Sequence, residues 1–446
     1  MFTHFNLTNF KIWRSTSTPE QPRLDLAPIT LLLGTNSSGK SSLIQSLLLI
    51  RQTVTSGDET LDLNLGNPDD GDTLTLGNFD DVRSRGAERQ PMVIEFGWRE
   101  EATSANGLFN AHYQKGPDGQ ASLVRLTVQQ DAESGFVASL GRRGGYSLNI
   151  HGQRNARPAR IEHKPLQSFR LSEALLANLG RNGSIGNRLR PVALAVQDEL
   201  ARIRYLGPVR ATPQRSYSWN GKLLAALGDD GAHAAQALIA SWHAGELARK
   251  RKEPTPPQAA LFTQAGAWLR RLGLAGGLRI NELGGGRYEL RVLDLLDATG
   301  SSNLRDVGAG VTQVLPVVTL ILAAPAGTVV IVEEPESHLH PLAQSELAEL
   351  FAEVQRRGVQ LIVETHSEHL FRRMQTIMAR EQIAAKDCAL YFIDRDQTGP
   401  NIKRLQADQV GRIKNWPDKF FGDALGEARQ QTKLAFEAQK RGKQPE

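Results

Sequence analysis

The chain has 446 residues, of which 40% are hydrophobic and 23% are charged, as is ordinary for a globular protein of two or three domains with a sizeable core. Its one cysteine, Cys388, excludes an internal disulfide and a cysteine-based metal site. The net charge of +5 is compatible with a polyanionic partner such as DNA without requiring one, and no secretion signal is recognisable at the N-terminus, so a cytoplasmic location is expected.

The N-terminal third contains short runs of alternating apolar and polar residues, separated by turn residues. These runs predict strands at residues 2–13, 23–26, 29–33, 73–76, 92–98, 122–129 and 147–150. After the third strand, apolar residues at helical spacing predict a helix that ends near Arg51. The later strands have the pattern of a largely antiparallel sheet, so we expect residues 1–165 to form one lobe.

From residue 166 onward, the spacing of Ala, Leu and Ile becomes helical. Helices are predicted at residues 166–179, 191–203, 232–248 and 259–272. We interpret residues 166–275 as a helical insertion. A basic run at residues 249–252 ends one of these helices, and two interpretations of it remain open: a solvated helix end or a contact with nucleic acid.

Strands and helices alternate in the last third of the chain. Strands are predicted at residues 278–283, 287–294, 328–332, 360–364 and 389–394, and helices at residues 311–323, 341–357 and 368–380. Apolar strands that alternate with helices indicate a doubly wound parallel sheet, so residues 276–446 are expected to form a second α/β lobe. The uncharged stretch at residues 307–332 is interrupted by Pro325 and Gly327, so a buried helix and strand are expected there rather than a membrane span.

A glycine-rich loop joins the strand at residues 29–33 to the helix that follows it. The loop matches the full P-loop pattern of Gly34, four residues, Gly39, Lys40 and Ser41, in which backbone N–H groups and a helix N-terminus bind phosphate. Lys40 is predicted to reach the β- and γ-phosphates, and the Ser41 hydroxyl to bind Mg²⁺. The predicted nucleotide-binding residues of this loop are Gly34, Thr35, Asn36, Ser37, Ser38, Gly39, Lys40, Ser41 and Ser42.

Two carboxylates follow the apolar strand at residues 328–332. A strand that brings two carboxylates to its C-terminal end is the second half of a P-loop NTPase site. Glu333 is predicted to bind Mg²⁺, directly or through water, and Glu334 to act as the general base that activates the attacking water. The sequence therefore predicts an enzyme that binds a nucleoside triphosphate with Mg²⁺ and hydrolyses it.

Five segments carry a resemblance to known ATPases. Residues 333–341 (EEPESHLHP) and 364–370 (ETHSEHL) resemble the ABC-type ATPase core shared by SMC, RecF and OLD-family proteins, and residues 306–316 (DVGAGVTQVLP) resemble its degenerate signature motif. Residues 205–210 (YLGPVR) and 415–421 (NWPDKFF) are similar to a subgroup of stand-alone bacterial ATPases. Many members of that subgroup belong to antiphage defence operons, including the PtuA subunit of Septu systems.

The resemblance implies an α/β fold. This fold has an ABC-type P-loop ATPase core, with a mostly parallel sheet flanked by helices, an antiparallel β subdomain and a helical insertion. The resemblance identifies His366 as a switch histidine that senses the γ-phosphate, so the implied catalytic residues are Glu334, His366 and Lys40. A second nucleotide-binding surface, which closes over the ATP held by another subunit, would consist of Gly308, Gly310 and Thr312. A head-to-tail dimer or a larger assembly is therefore implied.

The polar residues of these segments also partly match two other kinds of site, a zinc site and a Toprim nuclease site. Three histidines lie near the carboxylates but match a zinc-binding helix poorly: His338, His340 and His369. Glu364, Asp394 and Asp396 imitate the acidic residues of the Toprim nuclease that OLD-family proteins often carry. However, Glu364 belongs to the switch-histidine segment and little of the chain follows Asp396, so any nuclease activity is expected from a separate protein.

Three functions are consistent with these features. The first is an ATPase that acts as a sensor or regulatory subunit of a bacterial antiphage defence complex and gates a partner nuclease or other effector. The second is a RecF- or SMC-like DNA repair or maintenance ATPase that binds DNA directly. The third is a nucleotide-bound scaffold whose hydrolysis is negligible. No membrane partner is expected in any of them.

Overall fold

The structure is a computed structural model of the whole chain. It describes residues 1–14, 23–58, 60–100, 105–131, 134–141, 146–151, 159–161, 166–167, 170–171, 184–221, 226–254, 256–297, 299–396 and 399–416. Among the segments singled out above, residues 417–421 lie outside the described residues.

The described residues form α-helices and four sheets, one of which is the two-stranded pair β10-β11. The strands are β1 (Phe2–Thr8), β2 (Leu24–Asp25), β3 (Ile29–Gly34), β4 (Met92–Arg99), β5 (Asn106–Lys115), β6 (Ala121–Gln130), β7 (Gly135–Leu140), β8 (Tyr146–Ile150), β9 (Ala159–Ile161), β10 (Leu166–Gln167), β11 (Arg170–Leu171), β12 (Ile203–Leu206), β13 (Tyr217–Ser218), β14 (Gly277–Gly284), β15 (Arg287–Leu293), β16 (Ser301–Asn303), β17 (Val329–Glu333), β18 (Gln360–Glu364), β19 (Cys388–Arg395) and β20 (Pro400–Leu405). The α-helices are α1 (Lys40–Thr55), α2 (Phe79–Val82), α3 (Ser184–Ala201), α4 (Ala234–Arg251), α5 (Ala260–Arg271), α6 (Ala309–Ala323), α7 (Pro341–Gln355) and α8 (Glu368–Ala379).

The first sheet, which we call the core sheet, has the strand order β12-β17-β18-β3-β19-β20. Neighbouring strands from β12 to β19 are parallel, and β20 is antiparallel to β19. Strands β17 and β18 are buried along their whole length, as expected for strands covered on both faces. Because β17, β18 and β3 are parallel neighbours, Glu333 lies opposite Glu364, and Glu364 lies opposite Leu32.

The second sheet is antiparallel and has the order β2-β1-β4-β5-β6-β7-β8-β9. Helix α3 packs against β6 and β7 of this sheet and against α1, the helix that follows the P-loop. The sequence patterns did not predict β5 and β7. In β5 the buried positions include Gly107 and Ala111, whose small side chains hide the apolar alternation.

A third sheet contains β13, β15 and β14, with β16 paired to β15. Helices α4 and α5 pack against each other, against strands of this sheet and against α6. Helix α6 in turn packs against β17 and β12, so these elements are connected to the core sheet.

Three sequence predictions about local structure were wrong. The helix expected at residues 166–179 is contradicted by the short strands β10 and β11, and the rest of that segment lies outside the described residues. The helix expected at residues 191–203 ends at Ala201, and the next residues form β12, which pairs with β17 of the core sheet. The strand expected at residues 73–76 is absent from the described structure, because the Gln52 side-chain amide takes the place of a strand partner. Gln52 Oε1 accepts from Leu74 N at 2.9 Å, and Gln52 Nε2 donates to Leu74 O at 3.1 Å.

The uncharged stretch at residues 307–332 forms α6 and most of β17, as expected. Within the part of the chain that the structure describes, no helix is long and apolar enough to cross a membrane. The α/β class predicted from the sequence is confirmed. The domain boundaries at residues 165 and 275 stay a prediction.

The core sheet and the antiparallel sheet are joined through the buried side chain of Gln360, the first residue of β18. Gln360 Oε1 accepts from Phe2 N at 2.8 Å, and Gln360 Nε2 donates to Phe2 O at 2.8 Å and to Ala27 O at 3.1 Å. The side chain of Gln360 is 1% exposed, so water cannot replace it as the hydrogen-bond partner of these backbone groups. Gln360 therefore fixes the start of β1 against the core sheet.

We expect Gln360→Ala to lower the free energy of unfolding by about 2–4 kcal/mol, because it removes three hydrogen bonds to buried backbone groups. Thermal unfolding followed by circular dichroism measures this change. Gln382→Ala is the matched control, because the side chain of Gln382 is exposed. Equal melting temperatures for the two variants would contradict the role assigned to Gln360.

Candidate functional site

The loop between β3 and α1 has the backbone that its glycines permit. Gly34 has φ = 144° and Gly39 has φ = 102°, and a Cβ atom at Gly34 would lie 1.8 Å from the carbonyl oxygen of Ile393. Gly39 is the N-cap of α1 and places no side chain over the first turn, so the N–H groups there remain directed at the loop. The Trp13 indole donates to Gly39 O at 3.2 Å and supports the loop from the N-terminal side. The loop is therefore built to bind an anion at the start of α1.

Lys40 lies inside this loop and is 3% exposed. Its ammonium donates to Gly34 O at 3.3 Å and to Thr35 O at 2.8 Å, and it lies 3.8 Å from Glu364 Oε1. Burial lowers the pKa of Lys40, while the nearby carboxylates, Glu364 first and Glu334 second, oppose that shift. A buried cation is thus held at the point where phosphate oxygens would arrive.

Two buried carboxyl groups lie side by side at the C-terminal ends of β17 and β18. Glu333 and Glu364 are both 4% exposed. Glu333 Oε1 accepts from the Tyr205 hydroxyl at 2.6 Å, and Glu364 Oε1 accepts from the Ser41 hydroxyl at 3.1 Å. Burial, reinforced by the neighbouring Glu333, raises the pKa of Glu364 to about 8, and burial also raises the pKa of Glu333. Two buried carboxyl groups with raised pKa values therefore lie beside Lys40 and Ser41.

Glu334 occupies the turn that follows β17, with φ = 46°. Its N–H donates to Glu364 O at 2.8 Å, and its Oε2 accepts from the Ser337 hydroxyl at 3.1 Å. The residue is half-buried. The predicted general base thus has its backbone fixed by β18 and its carboxylate at the border of the site.

His366 follows β18 by two residues, and its ring is close to the P-loop. Its backbone N–H donates to Glu336 Oε1 at 2.7 Å. Burial, and then the positive charge of Lys40, lower the pKa of His366, while a hydrogen bond with the Gly34 backbone opposes this change. The ring is therefore neutral near pH 7 and has one N–H donor.

The donor set at this edge is suited to Mg²⁺. It consists of a hydroxyl and carboxylate oxygens, which are the ligands this hard cation prefers. Among the described residues, Glu364 Oε2 and Glu336 Oε2 are buried and accept no hydrogen bond. Ser41, Glu333 and Glu364 are the residues that would hold the cation.

The signature-like residues lie elsewhere. Gly308 is the N-cap of α6, and the Thr312 hydroxyl donates to Ala309 O at 3.2 Å in the first turn. Gly308 and Gly310 line a cavity of about 740 Å³ together with His338, and the described residues around this cavity include none from the P-loop. Within one chain, the structure does not bring the signature-like motif to the phosphate-binding loop.

The structure also locates the residues of the zinc and Toprim nuclease alternatives. The described residues contain no group of three or more His, Cys, Asp or Glu side chains that could hold a metal ion by their geometry alone. His340 caps α7, since its ring nitrogen accepts from Ala343 N at 3.4 Å. Asp394 lies on β19, which is separated from Glu364 on β18 by β3.

Three members of the site were not predicted from the sequence: Tyr205, Arg210 and Glu364. Arg210 is 7% exposed, and its guanidinium donates to the backbone oxygen of Glu333 at 2.8 Å. The family resemblance had singled out residues 205–210 without giving them a role. For Glu364, the available signal was its position directly after an apolar strand, the same position that Glu333 has.

We expect the stability of the protein to fall between pH 5.5 and 8.5 in part through Glu364. A Glu side chain titrates near 4.5 when unfolded, and the folded pKa is raised to about 8, so between these values the folded state binds the extra proton and loses stability as the pH rises. Glu364→Gln removes this group. The melting temperature of the variant minus that of the wild type should therefore increase by on the order of 2 °C as the pH rises through this range.

Differential scanning calorimetry without nucleotide or metal measures both curves. The exposed Glu381→Gln is the control and should follow the wild type. Parallel curves for Glu364→Gln and the wild type would contradict the expectation.

Comparison with known proteins gives a family for the chain. The family model described as "AAA domain, putative AbiEii toxin, Type IV TA system" matches residues 29–372, and the model described as "Protein of unknown function (DUF3696)" matches residues 383–431. A comparison with curated protein sequences finds no match.

Solved SMC head domains are similar to the chain at 12% identity. The SmcHead bound to the C-winged helix domain of ScpA has a TM-score of 0.47 and covers 92% of this chain and 98% of its own. The SMC head domain from Thermotoga maritima has a TM-score of 0.40, with 91% and 99% covered. The Smc head domain with an extended coiled coil, bound to the C-terminal domain of ScpA from Pyrococcus furiosus, has a TM-score of 0.44, with 91% and 96% covered.

The first family model covers well over half of the 446 residues, from β3 through residues 364–370 and into α8. The chain therefore belongs to this AAA-domain family.

Proposed function

We propose that the protein is a Mg²⁺-dependent, ABC-type ATPase that binds and hydrolyses ATP. The observation that carries this proposal is the convergence of three consecutive core-sheet strands at one edge. Strand β3 leads into Lys40 and Ser41, β17 ends in Glu333 and is followed by Glu334, and β18 leads to His366. Each of these residue types has a separate task in phosphoryl transfer, and their position at one edge of the sheet supports the proposal.

The residues divide the work of hydrolysis among them. The N–H groups at the start of α1 bind the phosphates, and Lys40 neutralises charge on the β- and γ-phosphates. Bound Mg²⁺ would offset the charge that develops on the phosphate oxygens. Glu334 leaves its hydrogen bond with Ser337 and accepts a proton from the attacking water. His366 donates its N–H to the γ-phosphate.

We further propose that a second copy of the chain completes the site. The start of α6 is a free helix N-terminus at Gly308, and it lines a cavity apart from the P-loop of its own chain. A helix N-terminus of this kind favours an anion. A head-to-tail dimer would place Gly308, Gly310 and Thr312 of one protomer over the ATP of the other.

For the biological role, we propose a sensor or regulatory subunit of a bacterial antiphage defence complex that gates a partner nuclease or other effector. The resemblance of residues 205–210 to stand-alone defence ATPases supports this proposal. The description of the matched family refers to a type IV toxin–antitoxin system, which is compatible with a two-component arrangement. An effector gene beside the gene for this chain would support the role, and a recombination gene cluster would favour the DNA-maintenance alternative.

We expect Lys40→Ala to abolish ATP binding, because it removes the buried cation of the phosphate loop. Glu334→Gln should bind ATP normally but lower kcat by at least about 100-fold, because it removes the proton acceptor. Isothermal titration calorimetry and phosphate release measure the two effects. Wild-type affinity in Lys40→Ala would contradict the assignment of the nucleotide site, and wild-type kcat in Glu334→Gln would contradict the assignment of the base.

The second-copy proposal is tested by mixing two inactive variants, Lys40→Ala and Gly308→Asp. The space around Gly308 is open and its φ is −60°, so the Asp side chain fits without strain and repels phosphate. Each variant alone should be inactive, whereas an equal mixture should regain about a quarter of the wild-type rate, since half of the dimers carry one intact site of two. Gly308→Ala is the control and should retain activity. A mixture that stays inactive would contradict the shared site.

A further inference from the structure

Strand order places Glu364 closer to the phosphate-binding loop than Glu333. Strand β18 lies between β17 and β3, with Glu364 opposite both Glu333 and Leu32. Neighbouring strands are about 4.8 Å apart, so Glu364 is one spacing from the strand that feeds the P-loop and Glu333 is two. A cation held by Ser41 and a carboxylate is therefore nearer to the end of β18.

The side-chain contacts show the same preference. The Ser41 hydroxyl, which the P-loop pattern assigns to the metal, donates to Glu364 Oε1 at 3.1 Å. Lys40 Nζ lies 3.8 Å from the same oxygen. The other oxygen, Glu364 Oε2, is buried and accepts no hydrogen bond from the described residues. Glu364 thus has a second oxygen that faces no N–H or hydroxyl donor among the described residues, and its carboxyl group also lies against that of Glu333.

Glu333 is held in a different way. Its Oε1 accepts from the Tyr205 hydroxyl at 2.6 Å, and its backbone oxygen accepts from Arg210 at 2.8 Å. Both contacts come from the β12 side of the sheet, away from β3. Glu333 is therefore anchored on the far side of Glu364 from the P-loop, in the position of a supporting residue.

We propose that Glu364 is the carboxylate that binds the divalent cation together with Ser41, and that Glu333, anchored by Tyr205 and Arg210, supports the cation from the outer side. This inference rests on the proposed function, since it concerns the Mg²⁺ of the bound ATP. The principal metal-binding role then belongs to β18 and not to β17, the strand that leads to the general base Glu334. Two adjacent buried carboxyl groups also face a single lysine, and a bound divalent cation would offset the negative charge that they carry when both are ionised.

A competing role for Glu364 is that of a counter-ion to Lys40 alone. The two roles make opposite predictions for Glu364→Gln. Loss of a counter-ion frees Lys40 and removes a negative charge near the phosphates, so ATP binding would tighten whether or not metal is present. Loss of a metal ligand removes the additional affinity that Mg²⁺ gives to ATP binding.

The experiment measures the ATP affinity of the full chain by isothermal titration calorimetry, once in EDTA and once in Mg²⁺. The ratio of the two Kd values is the metal-dependent gain. Glu364→Gln should reduce this gain by at least about tenfold while its affinity in EDTA is unchanged or higher. Glu333→Gln should lose less of the gain than Glu364→Gln. Glu364→Asp, which keeps the charge on a shorter side chain, should recover part of it.

Mn²⁺ binding followed by electron paramagnetic resonance is the second readout, and it is independent of hydrolysis. In the presence of ATP, Glu364→Gln should bind Mn²⁺ more weakly than Glu333→Gln does. The exposed Glu381→Gln is the control for both measurements and should match the wild type. Melting curves without ligand establish that each variant is folded.

Two results would overturn the inference: a full metal-dependent gain in Glu364→Gln, or a larger loss in Glu333→Gln than in Glu364→Gln. Failure of the underlying proposal has a different signature. In that case the wild-type protein would bind no ATP in EDTA or in Mg²⁺, so there would be no metal-dependent gain in affinity to compare between the variants.

Discussion

The site depends on one constraint, which is the burial of two neighbouring carboxyl groups, Glu333 and Glu364, at the end of the core sheet. Buried carboxylates are costly unless cations or hydrogen-bond donors face them. The protein supplies such groups from several elements: Lys40 and Ser41 from the start of α1, and Tyr205 from β12. Lys40 and Ser41, which follow β3, therefore lie where they offset the cost of burying Glu364.

The antiparallel sheet contributes to the same arrangement although it carries none of the predicted site residues. Its first strand is bound through Phe2 to Gln360 at the opposite end of β18 from Glu364. The chain after β1 reaches the loop at Trp13, whose indole donates to Gly39 O. The N-terminal segment is thus fixed at both ends of the core sheet, and it restrains the backbone of the phosphate-binding loop.

The arrangement also accounts for the separation of the signature-like motif from the P-loop. Helix α6 begins at the cavity lined by Gly308, Gly310 and His338, while α1 begins beside Glu364. Both helix starts favour an anion, and they belong to different surfaces of one chain. A nucleotide that bound to both at once would have to join two chains, which is the basis for proposing a dimer.

Local features of this protein could be predicted from the sequence because they depend on neighbouring residues. Gly34, Gly39, Lys40 and Ser41 are close in sequence, and the spacing itself specifies a strand, a loop and a helix start. The buried strands β17 and β18 are also evident as apolar runs that end in acidic residues. Where a local pattern was ambiguous, as at residues 73–76, the distant amide of Gln52 decided the outcome.

Tertiary structure alone decided which carboxylate meets the P-loop hydroxyl. Ser41 and Glu364 are 323 residues apart, and their contact arises because β18, rather than β17, is the parallel neighbour of β3. Strand order is set by how helices cover the sheet and by connections elsewhere in the chain. It therefore cannot be predicted from the P-loop or from the acidic ends of β17 and β18. The sequence by itself therefore determined the chemistry of the site, and the order of the strands determined the partner of each residue.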